Sequence, residues 1–166
     1  MFDLKDDIAV VIGGTGVLGG VIASGLAGAG ARVAVLGRSE ERGEARAQQI
    51  TEAGGDGTFV ACDATDQESL AKAREQVEAH HGAVTTLVNA AGGNMPAVTV
   101  SGDLSFEDIA VQDWNDCLGL NLSGGALLPC QEFGTGMVSR GKGSIINIAS
   151  AAANLPISRV PAYSVA

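Results

Sequence analysis

The 166-residue sequence is short of positive charge: it has 10 lysine and arginine residues against 19 aspartate and glutamate residues, a net charge of −9. A surface of this sign repels nucleic-acid phosphates and anionic membranes, so neither is expected as a partner. Apolar residues make up 46% of the chain and charged residues 17%, which is typical of a globular protein. The length suits one domain with a buried core.

Cysteine pairs and metal-binding motifs are also missing. Cys62, Cys117 and Cys130 are widely spaced, and none belongs to a C-x-x-C pair. An odd number of isolated cysteines argues against a disulfide framework and favours reduced, structural thiols in the cytoplasm. Without an H-E-x-x-H, EF-hand or G-x-S-x-G pattern, neither a metal site nor a serine hydrolase is expected. His80 and His81 are expected to end a helix, where a partly cationic ring is favourable.

A 24-residue uncharged stretch, residues 8–31, does not predict a membrane span. It contains eight glycines and follows an acidic leader. A spanning helix needs bulky apolar residues, and a signal peptide needs a positive start. The 24 glycines of the whole chain instead suggest backbone that approaches something closely.

Predicted strands and helices alternate along the chain. Short apolar runs predict strands at Ile8–Ile12, Arg32–Leu36, Thr58–Cys62, Thr85–Asn89 and Ser144–Ala149. The predicted helices run from the glycine-rich loop to Leu26, over Glu40–Ala53, from a capping box of Thr65 and Glu68 to His80, and from Asp113 to about Ser139 with a kink at Pro129. This order predicts an α/β fold with a doubly wound parallel sheet, which binds ligands at the carboxyl ends of its strands.

A glycine-rich loop, residues 13–19 (GGTGVLG), follows the first strand and opens the first helix. Its glycines permit a tight turn, close approach of a pyrophosphate, and packing of the helix on the strand. The helix N-terminus offers free N–H groups and a partial positive charge to phosphates. The alternative is a merely flexible loop. The pattern predicts dinucleotide contacts from Gly13, Thr15, Gly16, Val17, Leu18 and Gly19.

Arg38 and Ser39 follow the second strand, where a dinucleotide site usually carries an acidic residue. A guanidinium beside a hydroxyl suits a ribose 2′-phosphate, which favours NADP over NAD, although NAD stays possible. The alternative is a solvent-facing arginine paired with one of the two glutamates that follow. Asp63 and Ala64 lie at the end of the third strand. The Asp63 carboxylate either accepts a hydrogen bond from the adenine amino group or stabilises a turn.

The segment Asn89-Ala90-Ala91-Gly92 follows the fourth strand, and Ser150 and Tyr163 stand thirteen residues apart after the fifth. Together with Asn121 in the long helix, these residues make the chain resemble the short-chain dehydrogenase/reductase family over essentially its whole length. The resemblance implies a Rossmann-type fold, cofactor contacts from residues 89–92, and hydride transfer between NAD(P) and a carbonyl or secondary alcohol of a small polar metabolite.

The same resemblance implies catalytic roles for Ser150, Tyr163 and Asn121. Carbonyl reduction needs a proton donor at the developing alkoxide and a hydrogen bond that fixes the carbonyl. Tyr163 is the only tyrosine, so no other phenol can serve as the acid. Ser150 is placed to hold the carbonyl oxygen, and Asn121 to hold a water or backbone relay. Taken alone, Tyr163 would fit a half-buried interface residue better than a catalytic one.

A narrower likeness concerns residues 14–20 (GTGVLGG), 91–96 (AGGNMP) and 161–164 (PAYS). These segments resemble the D-mannonate (fructuronate) oxidoreductase branch, which implies a sugar-acid substrate. Met95 stands where that branch usually carries histidine, so the sugar-acid assignment stays open.

The family places a lysine four residues after its tyrosine and continues with two further strands, whereas the sequence ends at Ala166. We therefore expect residues 1–166 to be a single dinucleotide-binding domain, incomplete at its C-terminus and nearly inactive by itself. The family resemblance implies that the full-length protein is a cytoplasmic homodimer or homotetramer. The alternative is a non-catalytic dinucleotide-binding module or an inactive fragment.

Overall fold

Five parallel strands form one sheet in the order β3-β2-β1-β4-β5 in the computed structural model, which describes residues 3–155 and 157–166. The strands are β1 (Ile8–Ile12), β2 (Arg32–Gly37), β3 (Asp56–Ala61), β4 (Thr86–Asn89) and β5 (Ser144–Asn147). The strand order reverses between β1 and β4, so a crevice opens there beyond the carboxyl ends of the strands. The predicted α/β fold with a five-stranded doubly wound sheet is confirmed.

Helices connect the strands and cover both faces of the sheet. They are α1 (Val17–Gly28), α2 (Glu40–Glu52), α3 (Gln67–His81), α4 (Val111–Leu118), α5 (Leu128–Arg140) and α6 (Pro161–Val165). Short 3₁₀ turns lie at Pro96–Val98, Phe106–Asp108 and Ala151–Ala153. Among the described residues, none of these helices is both long enough and apolar enough to cross a membrane.

The alternating side chains of β1 enter two separate cores. Ile8, Val10 and Ile12 pack with α3 and α5 on one face of the sheet. Ala9 and Val11 pack with α1 and α2 on the other face. Because both faces of β1 are covered, its five residues form a continuous apolar run instead of an alternating pattern.

The capping box predicted from Thr65 and Glu68 is wrong. Asp66 is the N-cap of α3, and its carboxylate accepts a hydrogen bond from the Glu68 N–H at 3.0 Å. The Thr65 hydroxyl instead donates to Asp63 Oδ1 at 2.7 Å, so it is engaged in the preceding turn.

The long helix predicted from Asp113 to about Ser139 is two α-helices joined by a π-helical segment, Gly119–Leu127. Asp113 does not cap α4, which begins at Val111; it lies in the first turn, where a negative charge is favourable. Pro129 lies at the start of α5. Proline has no N–H for the carbonyl four residues earlier, so the irregularity precedes it as a change of helical register.

His81 is buried at the end of α3, with 2% of its side chain exposed. Its Nε2 lies 2.9 Å from the Thr58 hydroxyl, and its Nδ1 lies 3.9 Å from Asp56. Burial lowers the pKa of His81 below its ordinary value of 6.5, and the attraction of Asp56 does not offset this. The expected partly cationic ring is therefore wrong for His81, because desolvation outweighs the helix dipole.

We expect the free energy of unfolding to decrease as the pH falls below 6.5. The unfolded chain takes up a proton at the ordinary histidine pKa, while the lowered pKa of His81 keeps the folded chain unprotonated. This contribution is complete above pH 6.5 and is lost between 6.5 and the pKa of the folded state. His81→Gln should flatten that part of the profile. Urea unfolding above, at and below pH 6.5 measures the free energy of unfolding at each pH. If this free energy changes equally with pH in the variant and the parent, His81 is not the group responsible.

β5 lies at one edge of the sheet, and all four of its residues are exposed. Ile145 and Ile146 are 42% and 44% exposed. A groove of about 630 Å³ runs between β5 and α5, lined partly by Cys130, Val138 and Ile145. This edge therefore presents unpaired backbone groups and apolar side chains.

Candidate active site

Two adjoining cavities lie beyond the carboxyl ends of the strands. The first, of about 210 Å³, lies over the ends of β2 and β3. The second, of about 450 Å³, extends over β4 and β5 towards α6. Both are lined by Gly13, Gly16, Ala90, Ala91 and Gly92. The two cavities form one elongated crevice at the point where the strand order reverses, the usual place for a dinucleotide in such sheets.

Glycine is needed for different reasons at different positions of the loop between β1 and α1. Gly13 has a φ of 77°, and a Cβ there would lie 2.7 Å from the Ala91 nitrogen. A Cβ at Gly19 would overlap the Gly13 carbonyl oxygen. Gly16, the N-cap of α1, has a φ of −84°, and a Cβ there would meet only the Gly13 oxygen, at 3.2 Å. Gly13 and Gly19 thus permit close packing of the loop, whereas Gly16 faces the crevice.

The start of α1 lines the second cavity with Val17, Leu18 and Gly19. Val17 is 87% exposed and Leu18 57% exposed, although both are apolar. The first N–H groups of a helix have no acceptor within the helix, so they remain available to an anion. The predicted loop residues therefore surround a surface that suits a pyrophosphate.

Besides the residues shared by both cavities, four further predicted residues line the first cavity: Thr15, Arg38, Asp63 and Ala64. Ser39 does not line it; its hydroxyl caps α2 by accepting a hydrogen bond from the Arg42 N–H at 3.5 Å. Arg38 forms no ion pair with any described residue, so the pairing with a following glutamate is not observed. Arg42 also lines this cavity and was missed; its signal in the sequence is a spacing of four residues from Arg38.

Asp63 is held in a turn at the mouth of the first cavity. Its Oδ1 accepts hydrogen bonds from the Thr65 hydroxyl at 2.7 Å and the Thr65 N–H at 2.9 Å. These bonds lower the pKa of Asp63, and the charge of Arg38 lowers it further. The structure therefore contains the turn role considered for this residue, and it keeps an ionised carboxylate at the cavity.

Asn121, Ser150 and Tyr163 all line the second cavity, although they come from three separate elements. Ser150 precedes the 3₁₀ turn after β5, and its Oγ accepts a hydrogen bond from the Ala152 N–H at 3.2 Å. Because the oxygen accepts this bond, the hydroxyl hydrogen is left to donate elsewhere.

Asn121 connects the π-helical segment to the loop after β4. Its Oδ1 accepts from the Gly93 N–H at 2.8 Å, and its Nδ2 donates to the Gly93 carbonyl at 3.0 Å. Nδ2 also lies 2.9 Å from the carbonyl of Cys117, one turn earlier. A Cβ at Gly92 would be 2.7 Å from Asn121 Oδ1, so this contact requires glycine there. The side chain therefore fixes the Gly93 backbone relative to the π-helical segment.

Asn89 lies below the crevice and does not line either cavity. It is 1% exposed, and its Nδ2 donates to Asn147 Oδ1 at 2.8 Å and to Cys130 Sγ at 3.3 Å. Asn89 and Asn147 are neighbours in register on β4 and β5. The pair joins the ends of these strands, and Asn147, which the sequence did not single out, also lines the second cavity.

A small apolar cluster supports Tyr163. Its buried members are Val98, Cys117 and Ala162, surrounded by Met95, Ile109, Trp114 and Tyr163. The Val100 N–H donates to the Arg159 carbonyl at 2.8 Å, joining the loop before α4 to the approach to α6. Packing of α6 against α4 and this loop therefore places the phenol at the crevice.

The two buried thiols are unreactive in character. Burial raises the pKa of Cys62 to about 11 and also raises that of Cys117. Both sulfurs therefore stay protonated near neutral pH, and the expected structural role fits them.

Relatives of known sequence and structure match nearly the whole chain. An uncharacterized oxidoreductase of Bacillus subtilis, UxuB, is 38% identical over 172 residues, which cover 99% of this chain and 62% of the relative. A D-threitol dehydrogenase of Mycolicibacterium smegmatis is 36% identical over 162 residues, covering 98% of this chain and 59% of the relative. The chain thus spans about three fifths of the length of these relatives.

A structure from Haemophilus influenzae, provisionally assigned as a D-mannonate oxidoreductase and solved with bound NAD, superposes with a TM-score of 0.90. It is 31% identical and covers 98% of this chain and 61% of that one. The family model described as short chain dehydrogenase matches residues 7–166. With the glycine loop, Asn121, Ser150 and Tyr163 around one crevice, these matches show that the chain belongs to the short chain dehydrogenase family.

Proposed function

We propose that the chain forms the cofactor-binding and catalytic part of an NAD(P)-dependent oxidoreductase. The observation that carries this proposal is the single crevice in which Asn121, Ser150 and Tyr163 meet the glycine loop. The substrate is a carbonyl compound or secondary alcohol of a small polar metabolite. Family membership supports the reaction class, and the geometry of the crevice supports the residue roles.

The residues present fit a nicotinamide dinucleotide. Gly16 leaves the crevice open at the start of α1, where the N–H groups of Val17 and Leu18 would hold the pyrophosphate. Ala90, Ala91 and Gly92 would flank the middle of the molecule, and Asp63 would face the adenine end. When bound, the nicotinamide supplies or accepts the hydride.

Ser150 and Tyr163 both contact the reacting oxygen of the substrate. The Ser150 hydroxyl donates a hydrogen bond to the carbonyl oxygen and holds it in place. Tyr163 donates its phenolic proton to the same oxygen as negative charge develops there, and it takes the proton back in alcohol oxidation. Asn121 keeps the backbone of Gly93 at the edge of the cavity, through the bonds at 2.8 and 3.0 Å.

The finer proposal is a polyhydroxylated substrate, a sugar acid of the D-mannonate or fructuronate type. The relatives named for D-threitol and D-mannonate chemistry support a polyol or sugar-acid class. Met95 packs in the cluster that supports Tyr163, so a histidine there would change the packing as well as the polarity.

NADP is the proposed preferred cofactor, through contact of Arg38 with the ribose 2′-phosphate. The position of Arg38 in the first cavity, without an ion pair among the described residues, supports this choice. Residues 1–166 act as one cofactor-binding domain. The full-length protein is proposed to be a cytoplasmic homo-oligomer, a dimer or tetramer.

Gly16→Leu should abolish dinucleotide binding, because the side chain would enter the crevice where the pyrophosphate lies. Titration with NADPH, followed by its fluorescence, measures the affinity, and circular dichroism checks the fold. Gly25→Leu is the matched control: it lies on the same helix, and nothing lies within 4 Å of a Cβ there. Equal binding by the Gly16→Leu variant and the parent would exclude the proposed phosphate site.

A further inference from the structure

Among the residues that the structure describes, the polar side chains that line the second cavity are Asn121, Asn147, Ser150 and Tyr163. Ser150 and Tyr163 have proposed roles at the reacting oxygen. The Asn121 side chain is bonded to the backbone of Gly93 and Cys117. Asn147 therefore remains as a polar group of this cavity without a role, and its chemistry indicates what else the cavity can recognise.

The Asn147 side chain is oriented by a hydrogen bond beneath the cavity. Its Oδ1 accepts from Asn89 Nδ2 at 2.8 Å, and Cys130 Sγ lies 3.9 Å from the same oxygen. Turning the amide over would place its Nδ2 against Asn89 Nδ2, and two donors cannot pair. Within the described part of the chain, Asn147 Nδ2 has no hydrogen-bond acceptor. Because Asn147 lines the cavity, this N–H group is left to donate to a ligand there.

The bond between Asn89 and Asn147 is a costly way to join two strands. Asn89 is 1% exposed, and its own Oδ1 is buried without a hydrogen-bond partner among the described residues. Two apolar side chains of the same shape would join β4 and β5 without this cost. The backbone already pairs the strands here, since the Ile148 N–H donates to the Asn89 carbonyl at 2.9 Å. The amide pair is therefore better explained as support for a group that contacts a ligand.

The chemistry of Asn147 Nδ2 restricts the ligand. An uncharged donor suits an uncharged oxygen acceptor such as a hydroxyl or a carbonyl. Asn147 stands three residues before Ser150, a separation of at most about 11 Å along the chain. A substrate held at Ser150 can therefore reach Asn147 with an oxygen on a neighbouring carbon. A substrate without that oxygen would leave the donor unpaired, which a site discriminates against strongly.

We propose that Asn147 donates a hydrogen bond to a second oxygen of the substrate, on a carbon next to the reacting one, and so selects polyhydroxylated substrates. Asn89 is the positioning residue that orients this donor. The inference rests on the proposed function, because it uses a reacting carbon held by Ser150 and Tyr163. The substrate class is an α-hydroxy ketone or, in the direction of oxidation, a vicinal diol.

Asn147→Leu should lower kcat/KM for erythrulose about tenfold and leave that for 2-butanone within twofold of the parent, as expected for the loss of one hydrogen bond. Both compounds are four-carbon ketones that react at the second carbon, but only erythrulose carries hydroxyls on the neighbouring carbons. Consumption of NADPH by the full-length protein measures both rates. Fluorescence titration should give an NADPH affinity within twofold of the parent.

A double variant, Asn89→Leu with Asn147→Leu, separates recognition from stability. Asn147→Leu by itself deprives Asn89 Nδ2 of its oxygen acceptor and should unfold at a lower urea concentration than the parent. The double variant removes both amides and should recover this stability, but not the rate on erythrulose. If that rate recovers together with the stability, Asn147 has only a structural role and the proposal is wrong.

Cys130→Ala is the matched control, because it removes the sulfur that lies 3.3 Å from Asn89 Nδ2 and 3.9 Å from Asn147 Oδ1, and it keeps the bond between the amides. It should retain the parent's preference for erythrulose. An equal loss in this variant would show an effect of packing and overturn the proposal. An equal loss on both ketones after Asn147→Leu, or a loss of NADPH affinity, would overturn it while leaving the proposed function intact. If the parent reduces neither ketone, the proposed function fails for this substrate class, and the inference fails with it.

Discussion

Tyr163→Phe should lower kcat by about 10²- to 10⁴-fold, the usual contribution of a positioned general acid or base. The substitution removes only the phenolic oxygen, and the remaining ring can still pack against the cluster of Met95, Val98 and Ala162. The fold and the dinucleotide affinity should therefore stay close to those of the parent. The loss should fall on the chemical step, because hydride transfer would leave an alkoxide without its proton donor.

Steady-state kinetics on the protein at its full natural length, with NADPH affinity measured in parallel, test this expectation. Val165→Ala is the control: it lies on α6 two residues beyond Tyr163, is 67% exposed, and does not line the second cavity. It should keep near-parent rates. If Tyr163→Phe also keeps near-full kcat on the best substrate, Tyr163 is not the acid and the proposed mechanism is wrong.

Gly13→Ala should destabilise the fold by more than about 3 kcal/mol, a large share of the 5–15 kcal/mol that usually stabilises a domain. Two costs combine at this position. The φ of 77° is unfavourable for a residue with a Cβ, and the added atom would lie 2.7 Å from the Ala91 nitrogen and 2.8 Å from the Ala90 carbonyl carbon. The loop after β1 and the end of β4 would have to separate.

Gly54→Ala isolates the backbone cost alone. Gly54 has a φ of 86°, and nothing lies within 4 Å of a Cβ there. Gly54→Ala should therefore lower the free energy of unfolding by only about 1–2 kcal/mol. Urea unfolding of both variants and the parent measures the difference. If Gly13→Ala costs no more than Gly54→Ala, the close packing of the glycine loop against β4 is not a source of stability.

The predicted site residues differ in how well the sequence could place them. Gly13 and Gly16 lie where the spacing after β1 indicates, because the loop is local and its reversal needs glycine. Asn89 was expected among the cofactor contacts, yet its side chain is buried between β4, β5 and Cys130. No local pattern predicts that the Asn89 side chain is buried, because its partners, Cys130 and Asn147, are distant in the chain.

The helix ends also depend partly on local sequence and partly on tertiary contacts. Ser39 and Asp66 are capping residues, and both residue types are favoured at that position. The sequence predicts Thr65 as the cap of α3, but the Thr65 hydroxyl is instead engaged with Asp63. The bond between Asn121 and the Gly93 N–H likewise joins residues that are 28 positions apart in the chain, so no local pattern could predict it.

By itself, the sequence determined the alternation of strands and helices, the two-sided burial of β1, and the glycine loop, because these depend on periodicity and backbone freedom within a few residues. Only the tertiary structure decided which polar side chains meet. Arg42 turns into the cavity with Arg38, His81 loses its charge through burial, and Asn121 reaches across to Gly93. These outcomes depend on distance, desolvation and competing hydrogen bonds between segments that are brought together by packing of helices on a sheet.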